Sequence, residues 1–199
     1  RCPDKGAEKK MMEAIDRAKK EGNTLGGRFC VVVKNVPAGV GSHTQWDLKL
    51  DGNLAKALMS IQAVKGVEFG RGFGYAGSSG SDSHDEIFHE AGRGYYRKTN
   101  NAGGIEGGMS NGEDIIIHAV MKPIPTVAKS LGSVDTKTKE TVKGEAVRSD
   151  VCAVPACSVI AESAACITIV GAALEKFPGD SMIETKRAFG EYLRYLKGA

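Results

Sequence analysis

Apolar residues recur at three- and four-residue spacing in four segments of the chain, and this spacing predicts four helices. The predicted helices cover residues 5–20, 54–64, 155–177 and 182–196. The third is apolar on nearly every side, so we expect it to lie buried in the centre of the fold. The positions expected to face the core are Ala7, Met11, Ile15 and Ala18 in the first helix and Ile183, Phe189, Leu193 and Leu196 in the last.

Shorter apolar or alternating segments predict strands between the helices. The predicted strands cover residues 27–36, 67–70, 95–98 and 115–120, with a hairpin or edge strand within 133–147. Residues 71–84 are rich in Gly and Ser with little apolar content, so we expect a loop that is poorly ordered without a ligand. Helices and strands alternate without a regular βαβ rhythm, which favours an α+β fold over a doubly wound sheet.

The composition is that of an ordinary globular protein, except for its glycine content. With 41% hydrophobic and 26% charged residues, the 199-residue chain can bury a core, and we expect a single domain over 1–199. The net charge of +3 weakly favours an anionic ligand, while the scattered Lys and Arg residues argue against nucleic acid. The 26 glycines concentrate between Gly66 and Gly112, which indicates either ligand-contacting loops or plain turns.

The five cysteines form no Cys-x-x-Cys pair, so the sequence favours reduced thiols in a cytoplasmic protein and predicts no metal site. Three of them, Cys152, Cys157 and Cys166, are expected to pack in the core. The longest apolar run, 152–174, is interrupted by Glu162, so we expect neither a membrane span nor a membrane partner. Because the chain opens with Arg instead of Met, we expect either a removed tag or a fragment of a longer chain.

Three segments carry residues suited to an anionic ligand. Two Gly-Gly pairs within 99–112 expose backbone N–H groups that can hold a phosphate or the edge of a flavin ring. In 122–126, Lys122 precedes a proline-stiffened backbone, which suits a ligand site or simply the end of an edge strand. Next to Arg148, whose planar donor fork suits phosphate, Asp150 either acts as a base or forms a surface ion pair.

A fourth segment, residues 81–86, places His84 among acidic side chains. Such a group invites a metal-binding or acid–base interpretation. Its spacing matches no metal motif, however, so we expect solvated loop residues here, including Asp82 and Asp85.

These segments occur in an order that resembles the chorismate synthase family along nearly the whole chain. The matching segments are 1–4, 23–27, 51–61, 63–68, 99–112, 122–126 and 148–155. Each match is weak by itself, but seven matches in order are very specific. The resemblance is to the C-terminal portion of the family.

The resemblance implies an α+β fold in which antiparallel sheets pack on central helices as a β-α-β sandwich. It implies a homotetrameric lyase of the shikimate pathway, which uses reduced FMN to eliminate phosphate from 5-enolpyruvylshikimate 3-phosphate and form chorismate. The residues expected to bind the flavin are Gln62, Ala63, Gly107, Lys122, Pro123, Ile124, Pro125, Thr126 and Arg148. Arg148 is also expected to bind substrate, and Asp150 to act as the catalytic residue, close to the flavin N5.

Two departures from the family pattern matter. Position 62 is Gln where the family usually has Asn. The family's N-terminal half is absent, and with it the histidines that act as acids and several arginines that grip the substrate. The histidines of this chain fall outside those motifs, so none is assigned that role; they are His43, His84, His89 and His118. Two alternatives remain: a non-catalytic flavin- or nucleotide-binding module, and an oligomerisation domain built on helix 155–177.

Overall fold

The computed structural model describes residues 2–92 and 94–198, so Arg1 of the matched segment 1–4 lies outside the described residues. The helices are α1 Lys5–Lys20, α2 Leu50–Met59, α3 Gly80–Ser83, α4 Val154–Lys176 and α5 Met182–Gly198. The strands are β1 Gly27–Val33, β2 Val64–Phe69, β3 Ile87–Glu90, β4 Gly94–Arg97, β5 Ile105–Glu106, β6 Met109–Ser110, β7 Ile115–Met121, β8 Gly132–Val134 and β9 Thr141–Lys143. Two 3₁₀ helices lie at Trp46–Leu48 and Gly72–Gly77.

A three-stranded antiparallel sheet with the order β1-β7-β2 organises the fold. The central strand β7 pairs with β1 on one side, where Ile117 faces Val31, and with β2 on the other, where Ala119 faces Val67. Every second residue of β7, from Ile115 to Met121, is buried. Because side chains alternate across a strand, one face of the sheet forms the core side.

Helices α2 and α4 cover that face. Every fourth residue of each helix points to the core, namely Leu50, Leu54 and Leu58 in α2 and Cys157, Ala161 and Ala165 in α4. The large side chains of α2 fill the space, and the small ones of α4 allow close approach. The predicted α+β fold, with an antiparallel sheet packed on helices, is confirmed.

The expectation that α4 is buried centrally is wrong for this chain. Its outer face exposes large apolar side chains, with 74% of Ile167 and 56% of Val170 accessible. By length and composition α4 can also cross a membrane, despite Glu162, because its most apolar window has a mean hydropathy of 1.9. Such composition is also typical of a core helix, and α4 packs on β1 and α2 through its buried stripe.

Several inward-facing assignments near the chain ends are also corrected. Ile183 is 72% exposed and Met11 is 54% exposed, because no described element packs against those sides of α5 and α1. Leu193 is likewise exposed, whereas Ala18 and Phe189 do face the protein interior. Among the cysteines expected in the core, Cys157 is buried, Cys152 is half-buried and Cys166 lies exposed on the outer side of α4.

The element boundaries differ where backbone conformation changes. β1 ends at Val33 instead of residue 36, because Asn35 adopts a left-handed conformation with φ of +62°. α2 begins at Leu50, four residues earlier than predicted, since the Leu50 N–H is held by the carbonyl of Gly108 at 2.9 Å. β2 begins at Val64, directly after another left-handed residue, Ala63.

The Gly- and Ser-rich segment 71–84 contains two short helical turns where a plain loop was expected. Its first turn is held by the Glu68 carboxylate, which accepts the Phe73 N–H at 3.0 Å. Its second turn is held by Ser79, which donates to Asp82 at 2.6 Å. Neither turn buries a residue, so poor order of this segment without a ligand stays a prediction.

Candidate functional site

Asp85 anchors the loop that carries the two Gly-Gly pairs. Its carboxylate accepts hydrogen bonds from Thr99 Oγ1 at 2.6 Å and from the backbone N–H groups of Asn101 and Ala102 at 2.8 Å each. Asp85 is only 8% exposed, so the expectation that it is solvated is wrong. Burial disfavours its ionised form, but these hydrogen bonds and the charge of Arg97 together hold the pKa of Asp85 below its ordinary value.

We expect Asp85→Asn to lower the free energy of unfolding by about 1–3 kcal/mol at neutral pH, because an amide cannot accept all three hydrogen bonds. A depressed carboxyl pKa means that this stabilisation is present above the ordinary pKa and is lost as pH falls through the folded-state value. Urea unfolding between pH 7 and pH 3 measures both effects. Glu86→Gln, at the exposed neighbouring position, is the matched control. Equal stability of Asp85→Asn and Glu86→Gln at neutral pH would contradict the anchoring role.

Asn100, Gly103 and Gly104 hold this loop against the start of β7. The Asn100 side chain accepts the Gly104 N–H and donates to the Asp114 carbonyl, both at 2.8 Å. Gly103 has a φ of +66° and lies so close to the Gly70 backbone that a Cβ atom would collide with it. Glycine is therefore required at position 103 for the loop to fold, whether or not the loop binds a ligand.

The second Gly-Gly pair forms the tight turn between β5 and β6. Gly107 is exposed, has a φ of +61°, and has no atom within 4 Å of the position that a Cβ would occupy. Gly108 is buried, and its carbonyl accepts the Leu50 N–H at the start of α2. The backbone of Gly107 is thus open to a ligand, while Gly108 fixes the turn to the protein.

At the opposite end of α2, Ala63 is joined directly to the predicted Lys122 segment. Ala63 stands at a φ of +68°, a conformation that costs a non-glycine residue about 1–3 kcal/mol. Its carbonyl accepts the Lys122 N–H at 2.9 Å, just beyond β7. Gln62 is exposed beside it. The structure therefore places Ala63 next to Lys122, while a role of Gln62 and Ala63 in flavin binding stays a prediction.

The segment Lys122–Thr126 runs along the surface and is fixed from below. Thr24, which is 7% exposed, donates its hydroxyl hydrogen to the Ile124 carbonyl at 2.7 Å. Gly26 lies against the backbone of Lys122 and Pro123, and a Cβ atom there would collide with both. Within the segment 122–126, Ile124 is half-buried and the other four side chains are exposed.

The Arg148 segment returns beside Lys122–Thr126 after the β8–β9 hairpin. Ser149 Oγ donates to the Thr126 carbonyl, and the Val147 N–H donates to the Val127 carbonyl at 3.4 Å. Arg148 and Asp150 are both exposed. The segments 122–126 and 148–150 therefore lie side by side, although convergence of the Lys122 and Arg148 side chains on one ligand stays a prediction.

The described contacts do not bring Gly107 close to the segments 122–126 and 148–150. Its loop packs at the start of β7, against Asp114 and Ile115, whereas Lys122 follows the last residue of the strand. A seven-residue strand is about 24 Å long at most. Within one chain, the Gly107 turn and the Lys122 segment thus occupy opposite ends of the sheet.

A sequence profile of the family described as "Chorismate synthase" matches residues 1–174. The chain belongs to the chorismate synthase family. Among curated chorismate synthases, that of Endomicrobium trichonymphae is 56% identical over 197 residues, which are 99% of this chain and 51% of the relative. The chorismate synthase of Geobacter metallireducens is 55% identical over 201 residues, with 98% and 51% covered.

A solved structure described as "Crystal Structure of Chorismate Synthase" superposes with a TM-score of 0.80 and 43% sequence identity. The match covers 96% of this chain and 49% of that chain. The chain thus spans about half the length of the chorismate synthases that it matches. This likeness confirms both the resemblance inferred from the seven segments and the fold expected from it. Membership of a family named for making chorismate also indicates an enzyme.

The chemistry of the side chains at the Lys122 segment fits an anionic flavin. Within the described residues, neither Lys122 nor Arg148 forms an ion pair, so both charges are available to a ligand. The backbone between Lys122 and Thr126 is held rigid and exposed, which suits a flat ring. No group of three His, Cys, Asp or Glu residues suited to a metal ion occurs in the ranges 2–92 and 94–198.

Proposed function

We propose that this chain supplies the flavin-facing part of a chorismate synthase site, as a single domain over 1–199. The whole enzyme would be a cytoplasmic homotetramer that converts 5-enolpyruvylshikimate 3-phosphate to chorismate. The observation that carries the proposal is the pair of contacts, Ala63 to Lys122 and Ser149 to Thr126, that join three sequence-distant segments into one surface. The β8–β9 hairpin lies between two of these segments in sequence, and all residues of its two strands are exposed.

The reaction needs a site that tolerates several negative charges. The substrate loses its phosphate and one proton and gains a ring double bond, so the reaction is an elimination without net oxidation or reduction. Lys122 and Arg148 would offset the charge of cofactor and substrate in a site from which water is partly excluded. Reduced FMN, when bound, would supply an electron-rich ring beside the substrate.

Asp150 is proposed to handle the proton at this site. It lies two residues from Arg148 and is exposed. A positioned carboxylate can accept a proton when substrate binding brings the two within hydrogen-bond distance. Gln62 would contact the flavin through its side-chain amide, one methylene longer than the family's usual Asn.

We expect Lys122→Ala and Arg148→Ala each to weaken FMN binding to the chain about tenfold, because each removes a charge-assisted contact. Titration by flavin fluorescence measures the change. Lys129→Ala, at an exposed lysine three residues beyond Thr126, is the matched control and should bind like the parent chain. If only one of the two variants differs from this control, the two cations do not converge on one ligand, and the site assignment is wrong.

A further inference from the structure

A cavity of about 320 Å³ opens beside Arg148 and has no role in the assignments above. Its walls come from the C-terminal end of α1, which contributes Lys19, and from the segment 146–149. Small residues at Gly22, Ala128 and Ala146 create the space. A water molecule occupies about 30 Å³ of the liquid, so the cavity has room for a phosphate group and several waters.

The polar groups that line this cavity are suited to an anion. Lys19 and Arg148 face it from two different elements, and neither forms an ion pair within the described residues. Asn23 uses its side-chain oxygen to accept the Thr24 N–H at 3.0 Å, which leaves its amide N–H groups available as donors. No described Asp or Glu lines the cavity.

The cavity shares two lining residues with the support of the proposed flavin site. Thr24 lines the cavity and donates its hydroxyl hydrogen to the Ile124 carbonyl. Ser149 lines it too and donates to the Thr126 carbonyl. Two of the residues that line the cavity, Thr24 and Ser149, therefore also hold the segment 122–126 in place.

We propose that this cavity is an anion site in which Lys19 of α1 and Arg148 of the segment 146–149 together hold a phosphate group. The proposal deepens the proposed function and rests on it for the source of the phosphate, which is either the flavin's or the substrate's. Lys19 would then be a binding residue outside the seven segments on which the family resemblance rests. The attraction between exposed charges of this kind falls as salt rises, so affinity should fall with ionic strength.

The first experiment uses inorganic phosphate as the probe and follows backbone amide signals of the 199-residue chain by NMR. We expect phosphate to shift the signals of Asn23 and Ser149. Lys19→Gln should weaken this binding about tenfold, and Arg148→Gln should weaken it at least as much. Lys20→Gln is the matched control, because Lys20 is the exposed neighbour of Lys19 and does not line the cavity. Absence of shifts at these residues, or equal affinities of Lys19→Gln and Lys20→Gln, would overturn the proposal.

The second experiment identifies the source of the phosphate by comparing FMN with riboflavin, which lacks it. If the cavity takes the flavin phosphate, Lys19→Gln will weaken FMN binding about tenfold and leave riboflavin binding unchanged. If Lys19→Gln binds inorganic phosphate weakly but both flavins normally, the flavin is excluded as the source, and Lys19→Gln should instead bind 5-enolpyruvylshikimate 3-phosphate about tenfold more weakly. If the parent chain binds neither flavin, the proposed flavin site fails, while the phosphate titration still decides whether the cavity is an anion site.

Discussion

Alone, the 199-residue chain is expected to form no chorismate, even with excess chemically reduced FMN. The substrate carries a phosphate and two carboxylates, and holding them needs several cations in one pocket. By the family resemblance this chain contributes Arg148 and Lys122 to that pocket, and none of the acid histidines. Both cations lie exposed, so water screens their charge.

The measurement is anaerobic turnover by the chain alone and by the chain mixed with the half of a chorismate synthase relative that it does not match. Activity should appear only in the mixture. The exposed apolar face of α4, which includes Ile167 and Val170, offers a surface for that half to cover. As a control, Ile167→Glu should abolish activity in the mixture without unfolding the chain, because Ile167 is exposed and carries little of this chain's own stability. Chorismate formed by the chain alone would overturn the prediction and the assignment of the acids to the other half.

The elements that bury a regular face were predictable from the sequence. The alternation in β7 marks one side of the strand for the core, and the strand was found close to its predicted position. The spacing in α1 predicted the bounds of that helix, although only Ala18 of it is buried. The burial of α4 was not predictable, because its composition indicates an apolar environment without indicating which part of the protein supplies it. This chain's own packing leaves the outer side of α4 uncovered, as the exposed Ile167 shows.

The contacts that build the candidate site, like the environment of α4, were not predictable from the sequence pattern. The contacts of Ala63 with Lys122 and of Ser149 with Thr126 join residues far apart in sequence, and local pattern alone gives no sign of such pairs. The family resemblance anticipated only that the segments share a ligand, and not these contacts. Asp85 was missed because its partners lie 14 to 17 residues away, although a turn with several free N–H groups requires an acceptor somewhere.

The separation of Gly107 from Lys122 in space could not be inferred either, because sequence motifs do not specify how far apart two segments lie in the fold. Both segments match the family, yet β7 runs between them. The chemistry of the Lys122 segment must therefore be tested apart from that of the Gly107 turn. Asp150 offers the sharpest such test, because its proposed role is in the chemical step.

Asp150→Asn is expected to slow turnover about 10²–10⁴-fold in the active mixture while changing FMN affinity little. Amide and carboxylate have nearly the same shape, and Asp150 is exposed, so packing should survive the change. The loss should appear in kcat, because the carboxylate acts on the proton during elimination and not on the binding of the cofactor. Asp16→Asn, at an exposed position on α1, controls for loss of one negative charge. Parallel losses of turnover and FMN affinity would instead make Asp150 a structural partner of Arg148, and unchanged turnover would remove it from the reaction.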